Sequence, residues 1–442
     1  RNPFRLESTM SNFKELDGKA LHQIAQELFP ICRSITGNGV RKTLDIIDDY
    51  IEGYSLVKHE VRSGTQVFDW TVPKEWSIEE AWIKDSKGNT VVDFKDSNLH
   101  VLGYSTQVDK IIPLNELQEH LHSLPEQPEA IPYVTSYYEP RWGFCITDKQ
   151  RKSLTEDDYH VFINSNHFDG SLTYAELLIP GKSKKEILIS SYVCHPSLAN
   201  NELSGPLVSL ALINWLAKSE NNFYSYRFVF TTETIGTITY LSRNLEHLKN
   251  NITAGLVLTC IGDDGDYSTV QSRYGDNLSD KVVQKVLSEN YKNDAKIYSF
   301  LKRGSDERQY CAPNIDLPIT SIMRTKYGVY PEYHTSLDDL TFMTPSGLKG
   351  GLDFAKKCVQ LFEKNHKYIT TKLCEPKLSK YNLYPTLSKK GSSNVARNLL
   401  NVLAYCDGKN DVIDLANILG ISTDEIINLI KIALENKLIE AL

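Results

Sequence analysis

No Cys-x-x-Cys pair occurs in this sequence, no uninterrupted apolar run is long enough to cross a bilayer, and no charged-then-apolar leader opens the chain. Each absence excludes something. The eight cysteines (Cys32, Cys145, Cys194, Cys260, Cys311, Cys358, Cys374 and Cys406) are scattered, which is the usage of reduced, buried thiols in a cytoplasmic protein. A disulfide framework and a thiolate zinc site are therefore not expected. A membrane span needs about 20 apolar residues, and none is foreseen. A basic excess is missing too. Lys and Arg number 49 against 56 Asp and Glu, a net charge of −7, which argues against a general nucleic-acid binder or a membrane-surface protein.

What is present is a series of apolar runs that each end in polar chemistry. Residues 187–193 read as a buried strand, stop at Cys194-His195-Pro196-Ser197, and give way to Asn200-Asn201-Glu202-Leu203-Ser204-Gly205 and an apolar helix. Residues 226–232 close in Glu233-Thr234-Ile235-Gly236. Residues 254–262 open into Asp263-Asp264-Gly265-Asp266, and 317–323 lead to Tyr333-His334-Thr335-Ser336-Leu337-Asp338. Side chains leaving the carboxyl ends of neighbouring strands reach one crevice. His195 with Asn201 or Glu202 offers one nitrogen and one oxygen to a single point, and His334 offers a second imidazole. Cys194 is not expected to act with His195, because adjacent strand residues face opposite ways. The Asp263 cluster is read as a solvated acidic turn, and His160 and His167 as structural.

At 442 residues the chain is too long for one core and implies two or three domains. Residues 18–54 carry helical spacing broken by a polar loop at 30–37. Short alternating strands follow, marking a β-rich insertion over 55–125 that could form a lid. With 10–54 as its first part, a main domain over 126–375 alternates strands and helices, the pattern of an α/β sandwich around a largely parallel sheet. Residues 373–390 read as a linker. Residues 390–442 then give the outline of a winged helix-turn-helix. The segment in the recognition-helix position holds Asp424, Glu425 and Glu435 against Lys431 and Lys437, so protein contact or self-association is expected ahead of nucleic acid. Arg1 to Thr9 precede Met10, the expected native start, and stay outside the fold argument.

These motifs resemble the zinc aminopeptidases of the leucyl aminopeptidase and glutamate carboxypeptidase group. They are more closely similar to bacterial aminopeptidase-like relatives with a lid insertion and a C-terminal winged helix, often associated with polysaccharide biosynthesis. The likeness rests on Cys194 to Ser197, Leu203 to Pro206, Glu233 to Gly236, Arg303 to Tyr310 and Tyr333 to Asp339, and it covers about Met10 to Leu442. It implies a three-layer α/β/α sandwich, with His195 and His334 as the two histidine ligands and Glu233 as general base. The family's bridging aspartate is Asn201 here, its ligand glutamate is Thr234, and its later aspartate is Thr259. A neutral amide bridges two dications poorly. One zinc is therefore expected, held by His195, His334 and an oxygen of Asn201 or Glu202, with a fourth position open.

The implied activity is hydrolysis of a peptide-like or amide-containing small substrate, foremost as an aminopeptidase. A deacylase of amino-acyl or sugar-linked amides and a metal-poor binding scaffold are the alternatives. Tyr330, Tyr333 or Arg324 are candidates for stabilising an oxyanion. Glu307, Arg308 and Glu332 are candidates for gripping a substrate terminus. Trp70, Tyr138 and Trp142 could line a lid face.

Overall fold

The four apolar runs form the middle of an eight-stranded sheet in the computed structural model, which describes residues 15–383 and 392–442. The expected start at Met10 and residues 384–390 of the expected linker lie outside the described residues. Strands Ser225–Thr231, Glu186–Tyr192, Ile252–Leu258 and Ile319–Met323 lie side by side and parallel. Nearly every residue in them is buried. That is why these runs show no alternation: a parallel sheet covered on both faces has no wet side.

The pairs that flank these four strands are antiparallel, while the outermost pair on one side, Tyr267–Val270 with Ala295–Tyr298, is parallel. Ser171–Ile179 pairs with Ser225–Thr231 and carries Val57–Arg62 outside it. On the other side Tyr267–Val270 pairs with Ile319–Met323 and carries Ala295–Tyr298. Helix Ser204–Ala217 buries 12 of its 14 residues and so has no polar face. A Cβ on Gly205 would meet the Leu258 carbonyl oxygen at 2.3 Å, so only glycine lets this helix start seat against the neighbouring strand.

A second sheet of four antiparallel strands runs in the order Thr90–Asp93, Glu75–Lys84, Asp158–Phe168, Val108–Pro113. It has its own core, including Ala81, Ile83, Leu117, Phe144, Val161 and Ile163. The insertion is thus shifted from the expected 55–125. Val57–Arg62 belongs to the large sheet, while Asp158–Phe168 belongs to the small one. The alternating burial of Asp158–Phe168 marks a strand with one wet face, unlike the main-sheet runs that follow it.

Chain contacts divide the described residues into two compact units: one up to Asp280 with Asn293–Ala355, the other Lys281–Lys292 with Lys356–Leu442. The second contains helices Ser392–Tyr405, Val412–Leu419 and Thr423–Glu435 with a three-stranded sheet of Asp407–Asp411, Lys367–Thr370 and Ile439–Ala441. This is a winged helix-turn-helix. It begins well before residue 390, because Lys367–Thr370 is its central strand and Leu378, in the expected linker, is buried in its core. Gly420 closes the turn between the last two helices in the left-handed conformation (φ 68°), and Ser422 with Glu425 forms a reciprocal cap on the last helix. Among the described residues, no helix is long and apolar enough to cross a membrane.

Candidate active site

The loops leaving the four parallel strands each hold a non-glycine residue in left-handed backbone: Ser197 (φ 39°), Thr234 (65°), Cys260 (46°) and His334 (55°). Such residues cost on the order of 1–3 kcal/mol each and gather at functional sites. Two of the four are the His334 and Thr234 singled out from the sequence.

His195 is fixed by a turn rather than by the strand. Strand Glu186–Tyr192 ends before it, and a short π-helical turn, Ala199–Leu203, brings Glu202 back beneath it. The Glu202 carboxylate accepts the backbone N–H groups of Cys194 and His195, both at 2.8 Å, and lies 3.1 Å from His195 Nδ1. Arg33 reaches the same point from the polar loop before the second helix. Its Nε donates to the His195 carbonyl at 2.9 Å and lies 3.2 Å from Glu202 Oε1, with both side chains fully buried. A carboxylate can only accept, so Nδ1 is the nitrogen that donates to Glu202, which leaves Nε2 to face the site.

His334 arrives from the loop after Ile319–Met323. Its ring stacks on Tyr333 (centroids 3.9 Å, 17°) and meets the edge of Tyr133 (5.0 Å, 90°). Its carbonyl accepts the Tyr133 N–H at 2.8 Å. Burial, with the neighbouring His195 adding to it, pushes His334 down to about 3, so the ring is neutral. Its Nε2 is buried without a hydrogen-bond partner. The His195 and His334 ring centres are 5.7 Å apart. Imidazoles from two distant points of the sequence do converge.

Glu233 follows strand Ser225–Thr231, with its backbone N–H on Cys194 Sγ at 3.4 Å and its side chain 20% exposed. Burial and the nearby Asp306 carboxylate hold it well above the usual carboxylate range, and burial raises Asp306 to about 6. Asp306 accepts the Thr234 N–H at 2.8 Å. Arg308 lies 2.5 Å from Thr234 Oγ1 and 3.8 Å from Glu233 Oε1. Thr234 therefore meets a guanidinium.

Other candidates fall elsewhere. Asn201 Oδ1 is 2.8 Å from the Tyr192 hydroxyl, which also lies 2.6 Å from Thr259 Oγ1. Glu307 is fully buried and accepts the N–H groups of Gly304 and Ser305 and the Tyr327 hydroxyl, shaping the turn before Arg308. Arg324 grips the carbonyls of Gly265 and Asp266 beneath Tyr267 and does not join the histidines. Tyr330 sits behind Tyr333, its hydroxyl on Cys260 Sγ. Glu332 contributes its backbone carbonyl to Thr335. Within the acidic turn Asp263 is buried and takes Thr325 and Asn200, whereas Asp264 is exposed as expected. Trp142 stacks on His120, while Trp70 and Tyr138 meet at 5.6 Å.

Cys194 and His195 were expected to face apart, yet Sγ lies 3.1 Å from Nδ1, since the strand has ended and alternation no longer applies. Burial, with the Glu202 charge adding to it, holds that thiol well above its usual range, which keeps it protonated and a poor nucleophile. Sequence reading missed Arg33, Tyr133 and Tyr192. Only Arg33 left a signal, as a lone charge in a loop flanked by buried apolar helices.

Whether these groups suit a metal can be judged from their free atoms. Cys194, His195 and Glu202 place ligand atoms within 4.8 Å of one another. Glu202 is already saturated by N–H groups, and Cys194 is a neutral thiol. The atoms left over are the nitrogens of His195 and His334. Two imidazoles on one tetrahedral ion have ring centres roughly 5 Å apart, given metal–nitrogen distances of about 2.0–2.1 Å. The observed pair fits.

Known proteins agree with this architecture. A curated relative from Clostridium acetobutylicum, "Putative polysaccharide biosynthesis protein with aminopeptidase-like domain", is 46% identical over 418 residues, 92% of each chain. A crystal structure of a "putative peptidase" from the same organism is 43% identical, covers 96% of both chains and superposes with a TM-score of 0.88. A zinc aminopeptidase from Bacillus subtilis, at 11% identity, shares the fold with a TM-score of 0.55 over 80% of this chain and 96% of that one. A winged helix-turn-helix family matches residues 366–441. The chain has the aminopeptidase-like fold expected from its motifs, and by the match over residues 22–365 it belongs to the family described as domain of unknown function DUF4910.

Proposed function

We propose that this chain is a metal-dependent amide hydrolase of the aminopeptidase type, with one ion, zinc, held by His195 and His334 and with Glu233 as general base. The observation that carries this reading is the buried, unpartnered His334 Nε2 beside His195. Zinc, when bound, supplies Lewis acidity toward a carbonyl and a more acidic water. Glu202 orients His195, and Arg33 holds Glu202. Glu233, half-buried and raised by burial and Asp306, takes a proton from the attacking water and returns it to the leaving amine. Arg308 steadies the Glu233 carboxylate, and Tyr133, Tyr192 and Tyr333 keep the imidazoles away from bulk water.

The substrate is a peptide-like or other small amide. The relative named for polysaccharide biosynthesis keeps sugar-linked amides within that class. All eight cysteines are free thiols, which supports a reducing, cytoplasmic setting. The acidic first turn of Thr423–Glu435, with Asp424 and Glu425, supports a protein partner or a second copy for the winged helix over nucleic acid.

One observation favours a second reading, a metal-poor binding scaffold: Tyr192 occupies both Asn201 and Thr259, two positions that hold metal ligands in the resembled enzymes. A panel of aminoacyl and acyl amides, assayed on metal-loaded wild type and Glu233→Gln, separates the two. Turnover that collapses in the variant supports the hydrolase. Equal turnover in both, or none in either, contradicts it.

A further inference from the structure

We infer that an aromatic-lined pocket between the inserted sheet and the 131–140 segment receives an aromatic side chain of the substrate. Tyr104, Tyr137, Tyr138, Pro140 and His167 line a cavity of about 410 Å³, within the about 300–1,000 Å³ of small-molecule pockets. Lys74 and Glu139 stand at it as well. This inference rests on the amide-hydrolase reading of the histidine site and adds the kind of side chain that the substrate carries.

The pocket is tied to that site by one residue. Tyr137 forms its wall, and its hydroxyl meets that of Tyr133 at 2.7 Å. The Tyr133 ring in turn lies 5.1 Å from His195 and 5.0 Å from His334. On the outer side, Tyr138 contacts Tyr137 and Trp70 edge-on, and it feels the charges of Arg308 and Glu233. Tyr138, at the outer rim beside those charges, marks the route by which a substrate with its amide at Glu233 lays its side chain into this cavity.

The chemistry of the walls selects the occupant. Rings meet edge to face around it, Tyr104 with His167 at 4.5 Å and with Tyr137 at 6.0 Å, an arrangement that a further aromatic ring extends. Several of the polar groups that line it are already engaged, while Lys74 and Glu139 stand at its exposed rim. Tyr104 donates to the Lys74 carbonyl, Ser136 to the Gly103 and Tyr104 carbonyls, and His167 Nε2 lies on the Tyr104 carbonyl. The ring-lined interior suits a benzyl or indolyl group better than a pyranose, which would gain few partners away from the rim. Tyr104 holds this wall in left-handed backbone (φ 66°), a strained conformation kept at the pocket floor.

Binding measured by calorimetry, without reference to turnover, tests this. The probes are L-phenylalaninamide, L-alaninamide and N-acetylglucosamine on the full-length protein, wild type and Glu233→Gln. Phenylalaninamide should bind about ten-fold or more tightly than alaninamide to both, from burial of the ring alone. Tyr138→Ala, at an exposed position, and Thr106→Phe, which fills the cavity, should each erase most of that preference. Equal binding of the two amides, a preference that survives both variants, or tighter binding of N-acetylglucosamine overturns the inference. Selective binding without any turnover leaves the pocket standing and removes the hydrolase reading.

Discussion

The Asp338 carboxylate receives the backbone N–H groups of Asn200 at 2.6 Å and Asn201 at 2.9 Å, and the Asp338 carbonyl takes the N–H of Ala199 at 2.9 Å. One aspartate four residues past His334 thus caps the turn that follows His195. This clamp is what brings two histidines 139 positions apart in the sequence to one point.

Asp338 makes the fold sensitive to pH. Burial raises it to about 7, against an unfolded value near 3.9. The folded state then binds a proton that the unfolded state has lost, so its contribution to stability is full below about pH 4 and disappears as pH rises through 7. Thermal unfolding of wild type and Asp338→Asn from pH 4.5 to 8 should show the wild-type advantage shrinking with pH and levelling off above 7. Parallel curves would contradict the assignment.

The Arg33–Glu202 pair should be strongly coupled. Arg33→Met leaves a buried carboxylate without its cation, a loss of about 3–5 kcal/mol, while Arg33→Met with Glu202→Leu should recover much of it. Denaturation curves on the two single variants and the double variant give the coupling energy. Additive effects would show that the pair is not what holds this region.

Gly205→Ala should cost about 1–3 kcal/mol through overpacking, because the new methyl meets the Leu258 carbonyl rather than a movable side chain. A midpoint of unfolding unchanged from wild type would mean that the helix start is free to shift.

Restoring carboxylates should improve the metal site. Asn201→Asp with Thr234→Glu replaces a neutral amide and a hydroxyl by charged oxygen donors, and zinc affinity should rise about ten-fold or more. Calorimetric titration of wild type and double variant reads this directly. Unchanged affinity would indicate that Tyr192 and Arg308 keep these positions from any ion.

Much of this molecule was legible because unbroken apolar runs mean strands buried on both faces. All four central strands, and the histidines and Glu233 at their exits, were read that way. The edges were harder. Val57–Arg62 alternates in burial like a strand of a small half-wet sheet, yet it pairs with Ser171–Ile179 in the large one. Pairing partners are a tertiary fact that periodicity does not encode. Spacing also misjudged roles within the site. Arg324 and Tyr330 lie near His334 in sequence, but loop geometry turns them toward Asp266 and Cys260. Tyr133 was invisible because the contacts that place it in the site, a backbone bond to His334 and ring contacts with His195 and His334, are long-range and no local pattern announces them.

Zinc titration of the metal-free protein, with His195→Ala and His334→Ala alongside, tests the central claim most directly. The convergence of these two rings predicts one ion per wild-type chain and loss of binding in each variant, with both variants still folded. A wild type that takes up no zinc, or variants that bind it as well as wild type does, would contradict it.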